Sequence, residues 1–140
     1  MPRQKLIDWF LSTPNAVLFG TASFWEGVSI DGEQLSCVVI DRIPFQVPDD
    51  PIYEARCELL KHNPEASWFN DLALPHATMR LKQGVGRLIR TTKDRGLVVI
   101  LDPRMTRKQY GKRILECLPP MQLVHDLSGQ QSLEEAFAKY

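Results

Sequence analysis

Three short runs of almost entirely apolar residues constrain the fold of this 140-residue chain more than any other feature. They are residues 17–20, 37–40 and 96–101. Such runs, bounded by turn residues, are typical of the central strands of a parallel sheet, which are buried on both faces. Helical patterns stand between and beside them, most clearly at residues 51–61 and 75–90. This alternation predicts an α/β fold with an open parallel sheet.

The remaining segments complete one domain and a tail. Helices are also predicted at residues 4–11 and 106–118, and a short one is an open alternative at 64–72. Residues 43–51 contain three prolines, which exclude a helix or a regular strand there. We therefore expect one domain over residues 1–120. A tail over residues 121–140 carries Ser132-Leu133-Glu134-Glu135, which has the form of a capping box before a short helix.

Residues 83–90 place two glycines and two arginines at the end of a predicted helix, in the order Gln83-Gly84-Val85-Gly86-Arg87-Leu88-Ile89-Arg90. At about 100° per residue, apolar and polar side chains separate onto opposite faces. The apolar stripe is Ala77, Leu81, Val85 and Leu88, and the polar face is Gln83, Arg87 and Arg90. Each glycine costs a helix about 0.5–1 kcal/mol relative to alanine, which indicates a close backbone approach. Either the polar face meets a polyanion such as a nucleoside triphosphate, or it is a solvated basic surface whose glycines allow close helix packing.

A loop rich in Thr, Ser and Gly follows the first predicted strand. It reads Thr21-Ala22-Ser23-Phe24-Trp25-Glu26-Gly27-Val28-Ser29-Ile30-Asp31-Gly32. A strand followed by such a loop can present backbone N–H groups to phosphates, although many unrelated loops share the pattern. Ligands of open α/β sheets bind beyond the carboxyl ends of the strands. This rule predicts that the loop lies beside residues 42–45 and 102–104, which follow the other two strands.

The two motifs together resemble motifs V and VI of superfamily 2 helicases. The form Ser-Phe-Trp-Glu-Gly at residues 23–27, followed by the octapeptide at 83–90, looks most like the DinG/XPD-like branch, and within it the bacterial YoaA-type helicases. Arg42-Ile43-Pro44-Phe45 and Asp102-Pro103-Arg104 also fit that branch. The resemblance covers residues 4–118 and implies the second RecA-like motor domain of a DNA helicase, truncated at its N-terminus.

The resemblance implies a role for each motif residue. Arg87 and Arg90 would be arginine fingers in ATP hydrolysis, and Gln83 would orient the phosphate or the attacking water. The residues implied to line the nucleotide are Glu26, Gly27, Ser29 and Gly86, and those implied to contact DNA are Thr21, Ser23 and Arg42. ATP and Mg²⁺ would be shared with a missing first domain, which would also hold the phosphate loop and an iron–sulfur cluster.

Two positions in the loop leave their roles open. Ser29 stands where the family usually has Asp, so any role of that carboxylate would here fall to a hydroxyl. Phe24 and Trp25 either stack on bases, as aromatic side chains do in single-strand channels, or pack in the core, as large apolar residues beside a buried strand commonly do. Asp102 is interpreted as a structural cap for the helix that follows it.

Charge is distributed unevenly along a chain whose formal net charge is zero. Residues 1–79 hold 5 basic and 11 acidic side chains, whereas residues 80–113 hold 11 basic and 2 acidic ones, a local balance of +9. The basic block predicts a phosphate-binding surface, for nucleotide or nucleic acid. Its alternative is a pair of solvated helices.

The expected setting is the cytoplasm. The sequence holds no apolar run long enough for a membrane span, and Cys37, Cys57 and Cys117 are neither paired nor at metal-ligand spacing. We interpret the cysteines as small buried side chains. Expected partners are single-stranded or forked DNA, the missing N-terminal RecA-like domain and, by resemblance, a clamp-loader accessory subunit of the polymerase. The alternative is a free-standing module that binds single-stranded nucleic acid or another protein.

Overall fold

Two short parallel strands lie at the centre of a group of helices in the computed structural model, which describes residues 2–21, 24, 30, 35–47, 49–88 and 96–124. The helices are α1 (Arg3–Ser12), α2 (Pro51–Lys61), a π-helical segment (Trp68–Ala73), α3 (Leu74–Val85), α4 (Arg104–Arg107) and α5 (Gln109–Cys117). The strands are β1 (Cys37–Ile40) and β2 (Leu97–Ile100). The alternation of helices with a parallel sheet confirms the predicted α/β class.

The sheet is set by two apolar runs that pair residue for residue. Cys37 pairs with Leu97, and Ile40 pairs with Ile100, in parallel. The ladder continues at both ends, because Leu97 N–H donates to Ser36 O and Leu101 N–H donates to Ile40 O, each at 2.9 Å. The predicted strands over residues 37–40 and 96–101 are therefore confirmed, but the prediction that they are buried on both faces was wrong, since Val39 is 60% exposed.

One face of the sheet packs on the main core. Val38, Ile40, Val98 and Ile100 turn toward buried side chains of α3, α4 and α5. The fully or nearly fully buried members of this core are Ile40, Ile43, Leu74, Ala77, Leu81, Val85, Met105, Ile114 and Leu118. The stripe predicted on the motif helix is confirmed, since Ala77, Leu81 and Val85 are 0% exposed and Leu88 is 4% exposed.

The prediction of a strand at residues 17–20 was wrong. The segment has no strand pairing, and Val17 and Phe19 are 69% and 91% exposed. A four-residue apolar run becomes a strand only where a neighbouring strand offers its backbone groups. In the described residues β1 and β2 pair with each other, and neither pairs with this run.

The open alternative of a short helix at residues 64–72 is resolved as a π-helical segment. Ser67 caps it reciprocally: its hydroxyl accepts from Asn70 N–H (3.2 Å), and its own N–H donates to Asp71 Oδ2 (2.7 Å). Pro75 follows in the first turn of α3. Proline lacks an N–H and its ring clashes with the carbonyl four residues earlier. The wider π turn relieves that clash and lets the helix continue.

α3 ends earlier than predicted. The α-helix stops at Val85, and the chain tightens, because Arg87 N–H bonds Gly84 O (3.2 Å) and Leu88 N–H bonds Val85 O (3.0 Å). Such i to i−3 bonds are typical of a helix terminus. Gly86 is the C-cap residue rather than a residue inside the helix.

The helix predicted at residues 106–118 is broken at Lys108, which is extended (φ −110°, ψ 142°). The physical reason is burial. Met105 and Ile114 are nine residues apart, and at about 100° per residue a continuous helix would point them in opposite directions. The break between α4 and α5 lets both side chains enter the core, where they are 7% and 0% exposed.

A second, smaller cluster packs around α1. Ile7 and Ile30 are its buried members, and Phe10, Leu11, Phe24 and Leu35 pack against them. Arg3 also holds Phe24, because its Nη2 donates to Phe24 O (2.8 Å) and its guanidinium lies 4.9 Å from the centre of the Phe24 ring. Phe24 is therefore a packing residue, as the core alternative predicted, and Trp25 lies outside the described residues.

Three further predictions have different outcomes. Only Cys57 is buried as expected, whereas Cys37 is half-buried and Cys117 is exposed. The helix predicted in the tail lies outside the described residues. In the part of the chain that the structure describes, no helix combines the length and apolar character needed to cross a bilayer.

Candidate active site

The end of α3 and the start of β2 meet at one edge of the sheet. The Leu88 side chain lies directly against Gly96, so closely that a Cβ added there would be 2.6 Å from Leu88 Cδ1. Gly96 immediately precedes Leu97, the first residue of β2. The Gln83–Leu88 motif therefore ends at the amino end of the strands.

Arg87 is half-buried at this edge. Its Nε is buried and, among the residues that the structure describes, has no hydrogen-bond partner. Buried donors are normally paired, and an unpaired one in a native fold requires an explanation such as an ion or ligand. Gln83 and Lys82, in the preceding turn, are exposed. An anion bound here would meet the guanidinium of Arg87, the amide of Gln83 and the ammonium group of Lys82.

Gly86 allows the turn that places Arg87. Its N–H donates to Lys82 O at 2.8 Å, and a Cβ at this position would lie 3.1 Å from the same carbonyl oxygen. Gly84, in the last turn of α3, is buried. The two glycines thus have different uses: one closes the helix and the other lies in its buried side.

The smaller cluster around α1, which includes Phe24 and which we call the Phe24 cluster, belongs to the same edge of the sheet. Leu35 packs on this cluster and precedes β1 by two residues, which places Phe24 and Ile30 at the amino end of the strands. Thr21 is exposed, and its carbonyl accepts from Phe24 N–H at 2.8 Å. The proposed site residues Ser23, Glu26, Gly27, Ser29 and Arg90 lie outside the described residues.

The opposite edge is organised by Asp102, which is 4% exposed. Its Oδ2 accepts from Ile43 N–H (2.9 Å) and from Arg104 Nη2 (2.6 Å), and its Oδ1 accepts from Arg104 N–H (2.9 Å). Hydrogen bonding from the Arg104 side chain is the largest cause that lowers the pKa of this carboxyl, against the opposing effect of burial. The carboxylate therefore stays charged and ties the segment after β1 to the segment after β2.

An aromatic cluster continues this connection. Phe45 lies 5.8 Å from Phe69 and 6.1 Å from Tyr110, and Phe69 lies 5.2 Å from Tyr110, measured between ring centres. The Arg104 guanidinium sits 5.2 Å from the centre of the Phe45 ring. The loop after β1, the π-helical segment and α5 are thereby held as one rigid unit at the carboxyl end of the sheet.

The structure divides the residues that the sequence had grouped at one edge. Segments 42–45 and 102–104 do lie together beyond the carboxyl ends of their strands, as predicted. Arg42 is exposed there, with only a 3.7 Å approach to Asp41. Thr21 and the Phe24 cluster do not join them, because residues 17–20 form no strand whose carboxyl end could carry the loop. Arg42 and Arg87 therefore lie at opposite ends of the sheet.

One feature of this geometry was not foreseen. Asp102 was expected to cap a helix, and it does bind the N–H of the first residue of α4, but its bond to Ile43 spans 59 positions. The tripeptide Asp102-Pro103-Arg104 directly after a buried strand was the only available signal. Within the described ranges, no group of three His, Cys, Asp or Glu side chains is arranged to hold a metal ion.

Comparison with known proteins gives one consistent family. A family model described as a helicase C-terminal domain matches residues 1–121. The chain is 45% identical over 127 residues to the ATP-dependent DNA helicase YoaA of Haemophilus influenzae, a match that covers 89% of this chain and 19% of that protein. The YoaA of Escherichia coli is 46% identical over the same length, with the same coverage.

The similarity extends to the DinG proteins. The 3′-5′ exonuclease DinG of Bacillus subtilis is 41% identical over 115 residues, which is 82% of this chain and 12% of that protein. The chain thus spans about a fifth or less of the length of the curated relatives it matches. With a parallel α/β core and a family match over residues 1–121, the chain belongs to the helicase C-terminal domain family, among relatives of the YoaA and DinG type.

Proposed function

We propose that this chain is the second motor domain of an ATP-dependent DNA helicase, inactive alone, which supplies arginine side chains to ATP held mainly by another domain. The YoaA relatives, which are ATP-dependent DNA helicases, support the reaction. The observation that carries the proposal is Arg87, a half-buried side chain whose Nε lacks a hydrogen-bond partner within the described part of the chain.

Arginine suits this role for chemical reasons. Its planar guanidinium remains charged and can hold two phosphate oxygens at once. Phosphoryl transfer demands little covalent chemistry from the protein and much charge stabilisation, so one arginine finger is worth about 10³–10⁵ in kcat. Arg87 follows a helix whose last residue, Val85, is 0% exposed. A group fixed in this way needs little reorganisation when charge develops on the γ-phosphoryl oxygens.

The other motif residues take supporting roles in this proposal. Gln83 precedes Arg87 by one helical turn and is exposed, so we assign it the orientation of a phosphate oxygen or of the attacking water. Arg90 is assigned as the second finger from the motif alone. Glu26, Gly27, Ser29 and Gly86 would line the nucleotide. Mg²⁺ and the iron–sulfur cluster belong, in this proposal, to the domain that carries the phosphate loop.

Single-stranded DNA is the proposed second ligand. We assign phosphate contacts to Thr21, Ser23 and Arg42, and the side chain of Arg42 is 82% exposed. Contacts of this kind position a strand without reading its sequence. Forked DNA and a clamp-loader accessory subunit remain predictions from the resemblance.

A domain replacement tests the catalytic assignment. Residues 1–121 of this chain would replace the matching region of the YoaA helicase of Escherichia coli, with which the chain is 46% identical. DNA-stimulated ATP hydrolysis would be measured for this chimera and for its Arg87→Lys and Arg90→Lys variants. We expect kcat to fall by roughly 10²-fold or more in each variant, because lysine keeps the charge but loses the bidentate fork.

The matched control is Arg56→Lys, which makes the same change on an exposed side of α2 and should leave kcat unchanged. If the Arg87→Lys variant had the same kcat as the unmodified chimera, the assignment of Arg87 as an arginine finger would be contradicted. A well-folded chimera that binds ATP and DNA but never hydrolyses ATP would contradict the domain assignment itself.

The alternative of a free-standing nucleic-acid module predicts a different balance of activities. Both functions allow the 140-residue chain to bind a single strand, so ATP hydrolysis by the chimera is the measurement that separates them. A module that takes no part in ATP hydrolysis would give a chimera whose hydrolysis is absent or is unchanged in the Arg87 and Arg90 variants. Our proposal instead predicts hydrolysis that falls in both variants.

A further inference from the structure

The segment that begins at α4 is unusually basic for its length. Residues 104–113 contain five basic side chains and no acidic one. Arg107 ends α4, Lys108 is the extended residue between α4 and α5, and Lys112 and Arg113 lie in α5. We call Arg107, Lys108, Lys112 and Arg113 the α4–α5 ridge. Like charges concentrated in so short a segment repel each other unless an anion neutralises them.

The ridge is exposed and its charge is not neutralised. Arg107, Lys108 and Lys112 are exposed, and in the part of the chain that the structure describes none of them forms an ion pair. Arg113 donates from Nη1 to the neutral amide oxygen of Asn70 (3.1 Å) and so keeps its charge. Arg104 differs, because Asp102 neutralises it. Four positive charges therefore face solvent together.

The backbone beneath the ridge is fixed. Gly111 lies against the Met105 carbonyl so closely that an added Cβ would be 2.0 Å from its oxygen. Tyr110 is held edge-on by Phe45 and packs on Phe69. The cations thus project from two short helices that cannot separate, which suits them to a repetitive ligand with regularly spaced charges.

An exposed aromatic side chain lies on the segment to which the ridge is bonded. Trp68 is 42% exposed and packs edge-on against Phe69, with ring centres 6.0 Å apart. It lies on the π-helical segment to which Arg113 is bonded through Asn70. Cations beside a half-exposed aromatic ring are the combination that single-strand binding proteins use: phosphates contact the cations and a base stacks on the ring.

We propose that the α4–α5 ridge and Trp68 together bind single-stranded DNA, with the sugar–phosphate backbone along the ridge and one base on the indole ring. The surface lies beyond the carboxyl end of β2, at the opposite end of the sheet from Arg87. It is therefore separate from the nucleotide contacts assigned above. The choice of DNA as the ligand rests on the proposed function.

Oligo-dT binding by the 140-residue chain provides the test, measured by fluorescence anisotropy over a range of salt concentrations without nucleotide. Each phosphate contact on a single strand adds about 0.7 to the slope of log K against log salt. The Lys108→Gln/Lys112→Gln double variant should bind about tenfold more weakly at low salt, with a slope smaller by about 1.4. Trp68→Leu should also bind roughly tenfold more weakly but keep the parent slope, since stacking releases no counterions.

Two controls separate the proposal from simpler effects. Lys5→Gln/Lys61→Gln removes the same charge from α1 and α2 and should leave binding within about twofold, because its sites lie off the ridge. Trp68→Phe should recover most of the affinity lost in Trp68→Leu. If both lysine double variants lost the same affinity for oligo-dT, net charge alone would explain the loss and the proposal would be overturned. It would also be overturned if Lys108→Gln/Lys112→Gln bound as tightly as the parent chain.

Two further outcomes are informative. If polyglutamate competed for the ridge as well as unlabelled oligo-dT does, and if Trp68 variants did not change binding, the ligand would be an acidic protein rather than DNA. In the YoaA chimera, ridge variants should keep kcat at saturating DNA and raise the DNA concentration for half-maximal stimulation by roughly tenfold, in line with the loss of phosphate contacts. Failure of the Arg87 test would leave this DNA result unchanged, so the two proposals fail separately.

Discussion

Asp102 connects two segments that are distant in sequence through three different donors. Its oxygens accept from the Ile43 backbone, the Arg104 backbone and the Arg104 side chain. A buried carboxylate is tolerated only when it is bonded in this way, because an unpaired charge in a low-dielectric interior is strongly unfavourable. The position of the loop after β1, and hence of Arg42, follows from this single side chain.

Replacement of Asp102 by asparagine should therefore lower the free energy of unfolding at pH 7. Asparagine can still accept from Ile43 N–H, but it loses the charge that holds Arg104. We expect a loss of about 2 kcal/mol, toward the low end for a buried pair because the Arg104 side chain is 40% exposed and partly screened. Urea titration measures this, and a loss below about 0.5 kcal/mol would contradict the role given to the carboxylate.

The same pair predicts a pH dependence. The pKa of Asp102 is lowered in the folded protein, chiefly by the Arg104 hydrogen bonds. A lowered pKa means that the stabilisation is complete above the unfolded value of about 3.9 and is lost as pH falls below it. The difference in unfolding free energy between the parent chain and Asp102→Asn should shrink steadily from pH 5 to pH 3. A difference that stays constant over this range would assign the effect to packing instead.

Gly111 marks the closest backbone contact between α4 and α5. Because a Cβ would lie 2.0 Å from Met105 O, Gly111→Ala must push the two helices apart. We expect it to lower the unfolding free energy by about 3 kcal/mol, as forced overpacking does. Gln109→Ala, at the exposed first residue of α5, should change it by less than about 0.5 kcal/mol. Equal thermal midpoints for Gly111→Ala and Gln109→Ala would contradict this prediction, because they would show that α4 and α5 accommodate the added methyl group without loss of stability.

At the scale of elements, the sequence predicts best where the determining groups are local. α2 begins and ends where predicted, at Pro51 and Lys61. Asp50 accepts from Ile52 N–H (2.8 Å) and Pro51 fixes the first turn, so both signals lie within three residues. The break at Lys108 could not be predicted in this way. It depends on Met105 and Ile114 reaching the same core, which only the assembled structure defines.

The candidate site shows the same division. Periodicity predicts the exposed position of Gln83 correctly, whereas Arg87, which was expected to point away from the core, is half-buried with a buried Nε, and Arg90 lies outside the described residues. The edge of the sheet on which Arg87 lies could not be predicted, because it depends on the turn at Gly86 and on the packing of Leu88 against Gly96. The loop after residues 17–20 was assigned to the wrong edge for a related reason: a strand needs a partner, and sequence periodicity does not report one.

The π-helical segment offers a test at this scale. Ser67 satisfies one free donor at its start, so Ser67→Ala should lower the unfolding free energy by about 1 kcal/mol. Because Trp68 and Asn70 follow directly, the variant should also weaken oligo-dT binding by a few-fold. Ser12→Ala is the matched control, since Ser12 donates only to Trp9 O at the end of α1. If Ser67→Ala and Ser12→Ala had the same effect on oligo-dT binding, the Ser67 cap would have no specific role in positioning the proposed DNA surface.

At the scale of the whole molecule, the proposed arginine finger Arg87 and the proposed α4–α5 ridge are assigned to opposite ends of one small sheet. Arg87 and the Phe24 cluster lie at the amino end, and Asp102, the aromatic cluster and the α4–α5 ridge lie at the carboxyl end. The described strands that connect them are only four residues long. Arg87 and the α4–α5 ridge are therefore separated by only a short path through the sheet.

The two hydrophobic clusters differ in size, and this difference predicts unequal local stability. The main core has nine buried members, whereas the Phe24 cluster around α1 has two, Ile7 and Ile30. Regions with few buried contacts open with a small fraction of the global free energy. Amide hydrogen exchange should therefore be fast in α1 and slow in α3 and α5. Ile7→Ala should accelerate exchange in α1 while leaving α3 unchanged, and Leu81→Ala should accelerate all three helices. If Ile7→Ala increased exchange in α3 as much as in α1, the two clusters would be one cooperative unit, and Arg87 could not be held rigid while the Phe24 segment opens.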